Sequence, residues 1–138
     1  MQVVLATARP YLCQSLCLYF STCDVDVVGT ADTVASLLAT TSRVGPDIVL
    51  LDTELAGGFL EVTMDALKAT DKSPAIVLLN RPNGPDLPDA AARADGQSVI
   101  GDPPETLLAL LSSLRPTDPG GADAGVGLRP SSGSSTVA

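Results

Sequence analysis

Five short apolar runs, separated by stretches with helical spacing, constrain this chain more than any other feature. They are residues 2–6 (QVVLA), 25–29 (VDVVG), 47–51 (DIVLL), 75–79 (AIVLL) and 97–100 (QSVI). Most are apolar at successive positions and do not alternate. That is the pattern of strands covered on both faces, as parallel sheets require. The intervening segments carry apolar residues at helical spacing: Leu12, Leu16 and Phe20 in the first, Val34, Leu37 and Leu38 in the second, Leu60, Met64 and Leu67 in the third. A short Ala-rich fourth helix is expected around 89–94, its start restricted by Pro85 and Pro88. Alternating strands and helices with right-handed crossovers predict an α/β doubly wound domain of five parallel strands and five helices.

The fifth helix carries the clearest boundary signal. Asp102 is expected to cap it, Pro103 to take the first turn, and Glu105 to close a capping box. Leu107, Leu108, Leu110, Leu111 and Leu114 follow and make a broad apolar face. It either packs wholly on the domain's own core or leaves a surplus for a partner. Composition changes at its end. From 116 to 138, Gly, Pro and Ser supply 12 of 23 residues, too little apolar surface to offset the entropy of ordering. The expected organisation is a folded domain over 1–115 and a flexible tail or linker over 116–138.

Charge and composition exclude several function classes. A net charge of −8 with no His, and eight scattered basic residues, argue against a nucleic-acid surface on this chain. No apolar run approaches the roughly 18 residues of a membrane span, and MQVVLATARP lacks the basic start of a signal peptide. A cytoplasmic location is the corresponding expectation. Cys13, Cys17 and Cys23 lack His partners and CxxC spacing, so reduced, packed thiols are expected in place of zinc ligands or a redox pair. There is no GxGxxG after the first run, no GxxxxGK[ST] and no serine nucleophile elbow. An enzyme or nucleotide binder is therefore the remotest reading. The two glycines of LAGGF (55–59) are expected to supply turn geometry and not a phosphate cradle.

Asp52 closes the third run, in PDIVLLDTELAGG (46–58). An Asp there commonly ends a strand as a turn residue or a helix cap. In doubly wound sheets, however, sites form at the carboxyl ends of the strands, which places Asp52 in that crevice.

Taken together, VLATARPYL (4–12), PDIVLLDTEL (46–55), ARADG (92–96) and DPPETLLALL (102–111) resemble the receiver domains of bacterial response regulators, in the branch that carries a LuxR-like DNA-binding output domain. The resemblance spans about residues 1–115. It implies a flavodoxin-like strand order 2-1-3-4-5, and Asp52 as the counterpart of the phosphoacceptor. It also implies a Mg²⁺ site built from acidic residues after the first strand and a backbone carbonyl, here that of Glu54. At the acidic positions this chain has Thr7 and Ala8. Asn80 stands at the family's hydroxyl position, Ile100 (or Gly101, if the loop shifts) at its lysine position, and Gln97 near its aromatic position. With positioned charge missing, Mg²⁺ binding and ordinary phosphorylation are not expected.

Arg9 follows the altered positions directly. Its guanidinium either pairs with Asp52, or caps the first helix or points into water. The expected function is that of an atypical receiver acting as a signalling and interaction module, not an enzyme. The alternative is a working phosphorelay receiver using Asp52. The resemblance implies a homodimer, with Leu107, Leu110, Leu111 and Leu114 as surface candidates, a histidine kinase or other regulatory partner, and a DNA-binding output domain outside this chain.

Overall fold

A computed structural model describes residues 1–84 and 87–114. Its strands are β1 (Gln2–Ala6), β2 (Asp26–Ala31), β3 (Ile48–Asp52), β4 (Ala75–Asn80) and β5 (Gly96–Val99), all parallel, in the order β2-β1-β3-β4-β5. This is the expected flavodoxin-like sheet, with strand ends shifted by one or two residues. The helical segments are α1 (Pro10–Ser21), α2 (Val34–Val44), α3 (Thr53–Ala56), α4 (Leu60–Lys68), α5 (Pro88–Arg93) and α6 (Pro104–Ser113). Five of them are the expected helices. The other, α3, is a single turn where the sequence pattern suggested only a loop, and a 3-10 turn at Gly57–Phe59 leads from it into α4. Gly57 has φ 53°, so it does supply turn geometry there.

Strand side chains alternate between two apolar layers. Val4, Ala6, Val49, Leu51, Ile76 and Leu78 meet Leu37 of α2, Leu60, Met64 and Leu67 of α4, and Ala90 of α5. On the other face, Val3, Leu5, Ile48, Leu50, Val77 and Leu79 meet Leu16 and Phe20 of α1 and Leu107 and Leu111 of α6. This two-sided burial is why the central runs are continuously apolar. It also fixes register, since a slip of one residue would exchange the layers.

Two expectations for α6 are corrected. The Asp102–Glu105 capping box does not form: Pro103 occupies the N-cap and Pro104 the first helical position, with no side-chain cap. The helix thus starts one residue late for Glu105 to reach the third helical position that a capping box needs. Leu107 and Leu111 are not available to a dimer partner either, because both are buried in the sheet's own core. Leu108, Leu110 and Leu114 pack against the same layer half-buried, and a Cβ on Gly96 would lie 2.9 Å from Leu110 Cδ1.

Cys13, Cys17 and Cys23 are half-buried free thiols in the α1 layer. Burial, reinforced by Cys13, pushes the Cys17 thiol up, away from the thiolate form. Among the described residues no helix is long and apolar enough to cross a membrane. The expected tail over 116–138 lies outside the described residues.

Candidate functional site

The carboxyl edge of the sheet gathers side chains from the ends of β1, β3 and β4. Asp52, the last residue of β3, is only 1% exposed, and Thr7, immediately after β1, is 4% exposed. The Thr7 hydroxyl donates to Asp52 Oδ2 at 2.8 Å and accepts from the Arg9 backbone N–H at 3.1 Å. Asp52 Oδ1 accepts from the Glu54 backbone N–H at 3.0 Å, so Asp52 also caps α3. The strand-ending cap and the crevice residue are therefore the same carboxylate.

Arg9 turns into this crevice. It occupies the N-cap position of α1 but makes no side-chain cap. Its Nε lies 3.5 Å from Asp52 Oδ2, and its Nη2 pairs with Glu54 Oε1. Arg81, just beyond β4, reaches Glu54 Oε2 at 2.7 Å. Glu54 thus bridges two arginines above the buried Asp52. The hydrogen bond to Glu54 is the main influence holding the Arg9 guanidinium above its ordinary value; desolvation opposes it, and the charges of Glu54 and Asp52 add to it. Arg9 Nε is itself buried with no hydrogen-bond acceptor.

Other positions singled out in the sequence are engaged elsewhere. The Asn80 amide donates to Gln97 Oε1 at 3.0 Å. Ile100 contributes a backbone N–H to Asn80 O at 2.7 Å and a half-buried side chain to the α6 layer. Ala8 is exposed and brings no donor or acceptor side chain. Both lysines are committed away from the site, Lys68 to Asp95 at 2.6 Å and Lys72 to Asp47 at 3.0 Å. The Glu54 carboxylate and Arg81 were not singled out. The available signal was that both lie within two residues of strand ends at the carboxyl edge, Arg81 after Asn80 and Glu54 after Asp52.

A hard dication takes several oxygen donors, preferably carboxylates; here Asp52 faces a neutral hydroxyl and a guanidinium, and the neighbouring Glu54 carboxylate is paired with Arg9 and Arg81. Among the described residues, no three His, Cys, Asp or Glu side chains stand together as a metal cluster.

No protein-family model and no curated protein matches the chain in sequence. Solved structures match it closely in fold. The isolated REC domain of RcsB from Salmonella enterica, with the phosphomimetic BeF₃⁻, superposes with a TM-score of 0.71 at 19% identity, covering 83% of this chain and 87% of that one. The chain has the fold of a response-regulator receiver domain. A LuxR-family DNA-binding response regulator from Staphylococcus aureus superposes with a TM-score of 0.72 at 14% identity, over 82% of this chain and 97% of that one. The response regulator domain of Thermotoga maritima CheB gives 0.69 at 14%, over 86% and 98%. On this receiver fold, Asp52 stands where the third strand ends, and the cage of Thr7, Arg9 and Glu54 closes over it.

Proposed function

We propose that this chain is an atypical receiver, a signalling and protein-interaction module of two-component-type regulation that operates without ordinary Mg²⁺-dependent phosphorylation. The observation that carries this reading is the occupied surroundings of Asp52. Both of its oxygens already accept hydrogen bonds, from Thr7 and from the Glu54 N–H, and the Arg9 guanidinium supplies the countercharge. A phosphodonor would have to part Arg9 and Arg81 from Glu54 before reaching an oxygen of a residue that is 1% exposed. Phosphoryl transfer depends on charge positioned on the transferring group, and the cations nearest Asp52 are here paired with Asp52 and Glu54.

The neighbours support a regulatory setting. RcsB is described bound to promoter DNA, and as two dimers bound to two DNAs. For this chain the corresponding partners are a second copy, a DNA-binding output domain beyond it, and a kinase or other regulatory protein. The burial of Leu107 and Leu111 directs a search for the dimer surface away from those residues.

Intact-mass analysis after incubation with acetyl phosphate and Mg²⁺, beside Asp52→Asn, tests the proposal. Folded protein that gains no phosphoryl mass supports it. A mass gain that disappears in Asp52→Asn overturns it in favour of a working phosphorelay receiver, the reading favoured by the position of Asp52 at the end of β3.

A further inference from the structure

Beside the Asp52 cage, the same edge of the sheet holds a cavity of 720 Å³ between α1, the end of β5 and the start of α6. That volume falls within the roughly 300–1,000 Å³ usual for small-molecule sites. Its walls are largely apolar, with Leu12 and Tyr19 of α1 facing Ile100 and Pro104 across the opening. The chain has two tyrosines and no tryptophan, and both Tyr11 and Tyr19 line this cavity. Tyr11 is 85% exposed, an aromatic ring held in water at the rim. Arg9 also lines the cavity, its guanidinium already engaged by Asp52 and Glu54.

We propose that this cleft binds an uncharged, ring-bearing small molecule. Size and apolar walls favour a flat hydrocarbon body, and the two tyrosines of α1 offer it aromatic contact along one wall. Charge complementarity selects a neutral one. The adjoining wall is already balanced, Arg9 and Arg81 against Asp52 and Glu54. Asp102 adds a negative charge at the cleft, and the whole chain carries −8. Among the described residues lining the cleft the cation is Arg9, which is already paired, so an anion would find no free countercharge there. A cation would leave water for apolar walls. The site stands whether or not Asp52 accepts a phosphoryl group. Because Arg9 belongs to both the cleft and the cage, an occupant would press on the ion pairs over Asp52.

N-phenyl-1-naphthylamine, a neutral aromatic amine, serves as the probe, titrated into the full chain with its fluorescence and the quenching of tyrosine emission both followed. The anionic relative 8-anilinonaphthalene-1-sulfonate carries the same rings plus a sulfonate. Saturable binding of the neutral probe is expected, with the sulfonate binding about tenfold more weakly. Ser15→Arg places a charge at the cleft from an exposed position on α1 and should weaken the neutral probe about tenfold. Ser98→Arg repeats the test from β5, should Ser15→Arg fail to give a cooperative melt. Leu18→Arg, on α1 but outside the cleft, should change binding by less than about twofold. The proposal is overturned by absence of binding to the folded full chain, whatever else covers the cleft. It is equally overturned by equal or tighter sulfonate binding, or by equal losses in Leu18→Arg and the cleft variants.

Discussion

Asp52 keeps its charge out of water through a few short contacts, and the cost of breaking each depends on how dry that contact is. The Thr7 hydroxyl is the driest. Thr7→Val preserves shape but leaves Asp52 Oδ2 and the Arg9 N–H each short of a partner. Leaving buried polar groups unsatisfied costs about 1–3 kcal/mol, so urea unfolding should show a loss of that size. The loss should shrink when Asp52→Asn is already present, because the two residues form one network. Additive losses would show that Thr7 acts through packing alone. Glu54 offers the contrast. It pairs with both arginines, but its side chain and theirs are 39–46% exposed. Exposed pairs contribute about 0–1 kcal/mol, so Glu54→Ala should cost less stability than Thr7→Val while opening the approach to Asp52. A Glu54→Ala loss equal to that of Thr7→Val would mean that the ionic bridge, and not the hydroxyl, holds the site shut.

At the scale of the elements, two close approaches away from the site set how the layers meet. Gly29 in β2 lies beneath α2, and a Cβ there would stand 2.7 Å from Thr40 Cγ2. Thr40 Cγ2 is bonded directly to Cβ, so relief requires a change of its χ1 rotamer or a shift of the helix. Overpacking of this kind costs about 1–3 kcal/mol, the loss expected for Gly29→Ala in thermal or urea unfolding. Unchanged stability would show that α2 rides loosely on the sheet. At the amino edge, Asp47 ties three segments together. It accepts from the Gln2 N–H at 2.8 Å and pairs with Lys72 at 3.0 Å. Burial alone would push the Asp47 carboxyl up, but the Gln2 hydrogen bond and the Lys72 ammonium more than offset it, so its value lies below the ordinary one. The folded state therefore binds this proton less readily than the unfolded chain. The resulting stabilisation is complete above the unfolded carboxylate range, about pH 3.9, and is lost as pH falls through the lower folded value. Asp47→Asn should flatten that part of the stability–pH curve, as followed by urea midpoints across acid pH. An unaltered acid limb would assign it to other carboxylates.

For the molecule as a whole, legibility in the sequence followed dryness. β1, β3 and β4 were readable because their residues are covered on both faces, and burial leaves no choice but continuous apolar side chains. The site was readable only in part. Asp52 could be placed at a strand end by the alternation of elements, and Thr7 and Arg9 beside it by the resemblance, but the Glu54 bridge to Arg81 depends on long side chains crossing between strands, and no periodicity records that. The start of α6 was misread because two adjacent prolines fit two helix registers equally well. The same gradient in burial predicts unequal local stability. β3 is fully buried along its length, whereas β5 alternates between half-buried and exposed positions and α5 is a short helix with one buried residue. Amides in β1, β3 and β4 should exchange only on global unfolding, and those of β5 and α5 by cheaper local opening. Native-state hydrogen exchange in low denaturant resolves the two classes. Uniform protection would mean that the β5 edge is as cooperative as the centre, leaving the cleft wall no independent freedom. With the expected gradient, the candidate site joins a rigid half, Thr7 and Asp52, to a softer half at Ile100, and an occupant of the cleft should slow exchange selectively on the softer side.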